Sequence, residues 1–96
     1  MKAPDAVLLD EADQVATVLH PIEPGMTVMI AAPKHYLRII ATETIPLFHK
    51  IAIQPLSKGS DVLKYGDSIG VLITDVDEGA HVHIHNLHSR RAVRTD

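Results

Sequence analysis

Short apolar runs alternate with turn-forming residues along the whole chain. No stretch has apolar residues at the i, i+3, i+4, i+7 spacing of an amphipathic helix, and the six prolines are spread between positions 4 and 55. Runs rich in β-branched residues, with turns about every eight to twelve positions, are typical of β-proteins. We therefore predict a mostly β domain with at most one or two short helical turns, near residues 55–56 or 75–78.

The apolar runs also predict the order of the strands. The run at 6–9 and the alternating segment 14–19 are expected to pair as a hairpin across the acidic turn 10–13. Further extended segments are expected at 26–30, 37–42, 71–73 and 81–85. The run at 46–53 supplies the candidate core residues Phe48, Ile51 and Ile53, and the segment 61–70 is apolar but broken by glycines that indicate a tight turn or close backbone approach. The sequence shows no internal repeat, low-complexity segment or linker. We expect one domain over residues 1–96, with a flexible tail at about 89–96.

Four of the seven histidines lie in the segment 79–88. Side chains two positions apart in a strand share one face, so a strand here places His81, His83 and His85 on one side and Val82 and Ile84 on the other. Two imidazoles of a His-x-His pair can bind one metal ion when a third ligand comes from elsewhere. A solvent-facing strand that is merely rich in histidine is an equally open interpretation.

Composition and charge exclude several classes of function. The chain has no cysteine, which rules out disulfides, thiolate nucleophiles, iron–sulfur clusters and cysteine-based zinc sites. The net charge of -3 gives no basic surface for nucleic acid, so no nucleic-acid partner is expected. No run approaches the roughly 18 apolar residues of a membrane span, and no signal peptide is recognisable. We expect a cytoplasmic protein without membrane contact.

The remaining chemistry is that of imidazole, ammonium and guanidinium groups. The sequence has no Gly-x-Ser-x-Gly elbow, no phosphate-binding glycine loop before a helix and no EF-hand loop. The side chains that remain suit binding of a polyhydroxy carboxylate or a metal-bound anion. They are His49, Lys50, Lys64, Tyr65, His81, His83, His85, Arg90 and Arg91. His20, at a predicted strand end, is expected to be a surface histidine rather than a ligand. Because so small a domain rarely forms a deep pocket alone, we expect half of a site that another chain or domain completes.

Three blocks of sequence occur in a characteristic order and spacing: PLFHKIA at 46–52, GSDVLKYGDSIG at 59–70 and EGAHVHIHN at 78–86. Together they resemble the small subunit of the altronate/galactarate dehydratase family, a module that in other members of the family is the N-terminal SAF domain of a single long chain. The resemblance covers roughly residues 5 to 90 and implies a compact SAF-type β-clip fold. It also implies a partner, a large catalytic dehydratase subunit, and little or no activity of the small subunit alone. An isolated small subunit is also expected to be able to form homo-oligomers.

The resemblance implies β-elimination of water from a sugar acid, which yields a 2-keto-3-deoxy acid. It implies a divalent metal, iron (Fe²⁺) or a substitute, held largely by the partner subunit. Carried onto this sequence, it indicates His83 and His85 as catalytic residues and metal ligands. It indicates the substrate-binding residues His49, Lys50, Lys64, Tyr65 and Asn86.

Three other interpretations stay open. The small subunit of sulfolactate sulfo-lyase is similar through the same blocks and eliminates sulfite instead of water, although the ending at 85–91 is more similar to the sugar-acid dehydratases. The domain could also be a non-catalytic β-clip binding module. Finally, the histidines could form a pH-sensitive interface of a scaffold. A purely structural role also stays open for individual residues. His49 and His85 could hydrogen-bond neighbouring backbone groups, and residues 64–66 could serve only to shape a turn.

Overall fold

All regular structure in the described part of the chain is extended. The computed structural model describes residues 3–64, 67–83 and 87–88. Within these ranges nine strands form and no helix: β1 (Ala6–Val7), β2 (Val15–Val18), β3 (Thr27–Ala31), β4 (Tyr36–Ile40), β5 (Lys50–Ala52), β6 (Asp61–Lys64), β7 (Asp67–Leu72), β8 (His81–Val82) and β9 (Leu87–His88). The prediction of a mostly β domain is confirmed. The same ranges contain no helix long and apolar enough to cross a membrane.

The strands form two sheets. Six of them lie in the order β4-β3-β1-β2-β5-β8, and the other three lie in the order β6-β7-β9. β1 pairs antiparallel with β2, with Ala6 opposite Val18, so the predicted N-terminal hairpin is confirmed. β1 also pairs parallel with β3, and every other strand pair is antiparallel. β2 and β5 therefore stand between the N-terminal strands and the histidine strand β8.

Three local predictions are wrong. The run at 71–73 is not a separate strand, because its first two residues end β7. No helical turn forms at 55–56 or 75–78, because Leu56 and Val76 pair in an isolated antiparallel bridge. The histidine strand is regular at His81–Val82 and the chain bends at His83, so the predicted strand does not continue through His83, and residues 84–85 lie outside the described residues. Short apolar runs predict extended structure well but not where a strand begins or ends.

The apolar side chains form two small cores on opposite faces of β2 and β5. Ala16 and Ile51 belong to the first core, whereas their neighbours Val15 and Ala52 belong to the second. This alternation is what a strand requires when both of its faces are buried. β5 is thus packed on both sides, and the residues that flank it are held firmly in place.

Four turns of one kind recur in the chain, and we call them the bridge turns. Each follows an aliphatic residue in an isolated bridge, with Ile22 paired to Ile45 and Leu56 paired to Val76. In each, a backbone N–H donates to the carbonyl three residues earlier, over 3.0 to 3.2 Å: Met26 to Glu23, His49 to Pro46, Ser60 to Ser57 and Ala80 to Asp77. The third residue of each turn has a positive φ: Gly25, Phe48, Gly59 and Gly79. A positive φ at that position defines a type II turn.

The bridge turns are a structural repeat, so the prediction that the chain has no internal repeat is wrong. In the sequence, the repeat is marked by a branched aliphatic residue with a glycine three positions later. Gly25, Gly59 and Gly79 follow this pattern. The turn at 46–49 breaks the pattern because Phe48 takes the place of glycine. One exception in four short copies was enough to hide the repeat.

A buried carboxylate joins three of the N-terminal segments. Asp5 is only 3% exposed, and its Oδ2 accepts a 2.8 Å hydrogen bond from the Met29 N–H of β3. Its Oδ1 lies 2.7 Å from Nε2 of His20, which follows β2. His20 is therefore at the surface, as expected, but its ring is also bound to a buried acid. A buried charge is tolerated only when paired in this way.

We expect Asp5→Ala to destabilise the domain by about 2–3 kcal/mol, because it leaves the Met29 N–H without its acceptor and removes the partner of His20. Asp5→Asn keeps the shape and one oxygen acceptor, so it should cost less, roughly 1 kcal/mol. Urea unfolding of the purified chain measures both values. Equal stability of the alanine variant and the wild type would show that this carboxylate contributes nothing.

Candidate functional site

Three imidazoles meet beside the edge of the six-stranded sheet. His49 immediately precedes β5, His81 begins β8 and His83 immediately follows it. In the antiparallel register of these strands, Ile51 lies opposite His81 and Lys50 lies opposite Val82. Continuing this register by one position brings His49 opposite His83. The pairing of β5 with β8 therefore assembles the group, which we call the histidine cluster.

The rings of the histidine cluster are stacked and hydrogen bonded. Nδ1 of His49 lies 2.8 Å from Nε2 of His81, and the centroids of the His49 and His83 rings are 3.7 Å apart with an interplanar angle of 16°. All three side chains are half-buried. A hydrogen bond between two ring nitrogens needs one N–H donor and one bare acceptor, so His49 and His81 cannot both be doubly protonated while it forms.

The donor atoms of the cluster fit a metal ion. One nitrogen from each of His49, His81 and His83 lies within 4.8 Å of the other two, and among the described residues this is the one such group of candidate ligands. Imidazole nitrogens bind zinc at about 2.0–2.1 Å, which places neighbouring ligands roughly 3–3.5 Å apart. Imidazole suits zinc, iron, copper and nickel.

Contacts from other segments hold the histidine strand. The backbone N–H of His81 donates to Oε1 of Glu43 over 2.7 Å. Just before it, the N–H of Gly79 donates to the Ala52 carbonyl over 2.8 Å, and the Gly79 carbonyl accepts from the Thr42 N–H over 2.9 Å. The start of β8 is thus fixed from two directions. Glu43 gave no signal in the sequence, because only the fold brings it to His81 from 38 positions away.

An oxygen-rich cleft adjoins this strand. It has a volume of about 430 Å³ and is lined by Thr42, Glu43, Thr74, Asp75, Val76, Asp77 and Ala80. One of its carboxylates is already engaged, because Oδ1 of Asp75 accepts a 2.8 Å hydrogen bond from the Lys58 N–H. Glu43 belongs to the cleft and also binds the His81 N–H, so the cleft and the histidine cluster share a wall.

The predicted site residues are distributed unevenly over the structure. His49 and His83 meet in the cluster, and His81, for which no role was assigned, joins them. Lys50 is half-buried and shares its face of β5 with Ala52, so it lies on the other face from His49 and Ile51. Lys64 ends β6. Tyr65, His85 and Asn86 lie outside the described residues, as do Arg90, Arg91 and the predicted tail at 89–96.

Comparison with known proteins identifies the class of domain. Residues 4–90 match the family model of the altronate/galactarate dehydratase SAF domain. The matched region contains all nine strands and the whole histidine cluster. The all-strand chain is therefore an SAF domain, and it belongs to the altronate/galactarate dehydratase SAF domain family.

Curated relatives fall into two groups. The chain is 35% identical over 66 residues to the (2R)-sulfolactate sulfo-lyase subunit alpha of Paracoccus pantotrophus, which covers 69% of this chain and 98% of the relative. It is 32% identical over 90 residues to the subunit of the same name from Chromohalobacter salexigens, covering 91% of this chain and 96% of the relative. It is 35% identical over 74 residues to the altronate dehydratase of Escherichia coli, covering 77% of this chain but 14% of the relative.

The two groups share a class of chemistry and differ in architecture. Both are named as lyases or dehydratases, so the domain is a lyase-associated one. In the first group the domain is nearly the whole of a subunit, whereas in the altronate dehydratases it is a small part of a much longer chain. In both groups, further protein accompanies the SAF domain.

Proposed function

We propose that this chain is the small subunit of a sugar-acid hydro-lyase and completes an active site with a larger catalytic chain. The observation that carries the proposal is the histidine cluster of His49, His81 and His83, on a chain that matches the dehydratase SAF domain over residues 4–90. Imidazoles are the commonest metal ligands and also transfer protons near neutral pH. Both properties suit elimination from a hydroxy acid.

The proposed reaction is an elimination across two neighbouring carbons. A base removes the proton on the carbon α to the carboxylate, and that electron pair forms a carbon–carbon double bond. The bond from the β carbon to its hydroxyl oxygen breaks, and an acid protonates the oxygen so that water leaves. The resulting enol tautomerises to the 2-keto-3-deoxy acid. No oxidant or reductant is needed.

We assign binding of a divalent metal ion, with iron as the first candidate, to His49, His81 and His83, because their nitrogens converge. Such an ion supplies Lewis-acid stabilisation of the negative charge that develops on the substrate carboxylate. The hydrogen bond from the backbone N–H of His81 to Glu43 fixes the start of β8, and the stacking of His49 on His83 orients those two rings. His83 and His85 remain our predicted catalytic residues, and His85 also remains a predicted metal ligand. Lys64, Tyr65 and Asn86 remain predicted substrate contacts, whereas Lys50 lies on the other face of β5 from His49 and is not proposed as one.

The larger chain is a necessary part of the proposal. Small-molecule sites are usually concave and bury most of their ligand, whereas the histidine cluster lies at the edge of a domain of 96 residues. Both groups of relatives pair the SAF domain with further protein. The larger chain would supply the remaining metal ligands and the opposite wall of the pocket. The isolated small subunit should therefore have little or no activity.

Sulfolactate sulfo-lyase is a second candidate function. The observation that favours it is similarity, because the chain is 35% and 32% identical to the two subunits alpha over 98% and 96% of their length. The chemistry is closely parallel: the α proton is removed, the β carbon–sulfur bond breaks and sulfite leaves with the bonding electron pair. The enol that remains tautomerises to pyruvate. The same histidine cluster would serve either leaving group.

The test is a side-by-side assay of the purified chain, the purified larger chain and their mixture, each with ferrous iron. We expect turnover only in the mixture, with altronate or galactarate giving a 2-keto-3-deoxy acid. Turnover of (2R)-sulfolactate alone, with release of sulfite, would establish the second candidate and reject the first. Full activity of the small chain by itself would contradict the shared site, and no turnover of any of the three substrates would overturn both functions.

A further inference from the structure

Phe48 has an unusual position in the fold. It is the third residue of a bridge turn, where the other three bridge turns have glycine with φ of 87°. Phe48 has a φ of 65°, and among the described residues no other non-glycine residue has a positive φ. Its side chain is nevertheless 65% exposed. An aromatic residue thus occupies a glycine position without contributing its ring to either core, and the prediction of Phe48 as a core residue is wrong.

Folding of this chain does not explain the choice of Phe48. A left-handed backbone brings Cβ close to the following carbonyl oxygen, and glycine avoids that contact. The ring recovers little in return, since about two thirds of it stays in water. Residues held in sparsely populated backbone conformations often serve binding or catalysis, and the strain is compensated elsewhere.

We propose that Phe48, together with the 44% exposed Leu47, is the hydrophobic anchor by which this chain docks onto the larger lyase chain. The inference rests on the proposed function, because it takes its partner from there. Large aromatic side chains that insert into a partner's pocket dominate the binding energy of many interfaces. The turn fixes the backbone of Phe48 before binding, which lowers the cost of ordering the anchor.

The larger chain is the partner favoured by position. Phe48 is bonded directly to His49, whose imidazole lies in the histidine cluster. Any surface that covers Phe48 must therefore approach the cluster, and that is where the missing half of the site has to stand. The curated relatives point the same way, because the domain is either a named subunit or 14% to 15% of a longer chain.

The experiment measures the affinity of the small chain for the purified larger chain by calorimetry, and the thermal midpoint of the small chain alone. Phe48→Gly removes the ring and restores the glycine of the other bridge turns. We expect the Kd of this variant to rise by about 10- to 100-fold, which is typical of a lost hot-spot residue. Its thermal midpoint should stay level or rise by a few degrees.

Tyr36→Ala is the matched control. Tyr36 is a 54% exposed aromatic residue on β4, at the other end of the six-stranded order from β8. We expect its Kd to stay within about twofold of the wild type. An unchanged Kd for Phe48→Gly overturns the proposal. So does a fall in the thermal midpoint of that variant, because the ring would then serve folding.

Two further readings separate this inference from the proposed function. Sedimentation of the small chain alone tests a second copy as the occupant: self-association that Phe48→Gly abolishes, with the heteromeric Kd unchanged, overturns the proposal. Turnover of the three substrates is followed in the same mixtures. Binding that depends on Phe48 without turnover rejects the proposed activity but supports the anchor. Turnover with a Kd independent of Phe48 supports the activity and rejects the anchor.

Discussion

Gly79→Ala should destabilise the domain by about 3 kcal/mol or more, which lowers the thermal midpoint of a chain this short by roughly 12–20 °C. Two effects act together. Gly79 has a φ of 87°, which an L side chain rarely adopts, and a Cβ built there collides with the carbonyl oxygen of Ile40. That oxygen belongs to backbone and cannot move aside as a flexible side chain would. Thermal unfolding of the purified variant measures the loss.

Gly59→Ala is the control that separates strain from collision. Gly59 has the same φ of 87° in an equivalent bridge turn, but nothing lies within 4 Å of the Cβ position. It should therefore cost only the left-handed backbone, about 1–2 kcal/mol. Equal losses for the two variants would show that the close approach of Ile40 to Gly79 is unimportant.

The collision also predicts a functional effect of Gly79→Ala, because the two hydrogen bonds of Gly79 fix the start of β8. Displacing this glycine displaces His81, which lies two residues further on. The variant should therefore lose more activity in the mixture with the larger chain than Gly59→Ala does. Turnover measured well below both thermal midpoints keeps this comparison free of unfolding.

Local sequence features predicted the class of fold correctly. The hairpin of β1 and β2 was predictable, because an apolar run and an alternating segment are joined by a short acidic turn, in which the Asp13 N–H donates to the Asp10 carbonyl. The parallel pairing of β1 with β3 was not, since it joins segments with no local signal and arises only when the sheet assembles.

The candidate site was predictable in part for the same reason. The alternation of His81 and His83 in the sequence is sufficient to place both imidazoles on one face of a strand. Their encounter with His49 depends on the register of β5 against β8, which the sequence does not state. Glu43 and Asp5 were missed because an acidic residue in a polar segment is indistinguishable from a solvated one until its burial and partners are seen.

His81→Ala should abolish most of the activity of the assembled enzyme, with a fall in kcat of at least about 100-fold. The ring of His81 is hydrogen bonded to Nδ1 of His49. Its loss removes that bond and leaves only two of the three converging nitrogens. Two imidazoles hold a divalent ion much less firmly than three, so the small chain should also bind Co²⁺ or Fe²⁺ at least about tenfold more weakly. Calorimetric metal titration of the small chain alone measures this independently of activity.

The control for His81→Ala is His35→Ala, since His35 is an exposed histidine in the turn before β4. It should leave metal affinity and turnover unchanged. His81→Ala itself should change the thermal midpoint little, because a half-buried ring at the edge of the sheet contributes few core contacts. A variant that keeps its fold while losing both metal and turnover places His81 in the site. A variant that keeps its metal affinity and its turnover would show that the histidine cluster has only a structural role. The catalytic groups would then have to come from the larger chain.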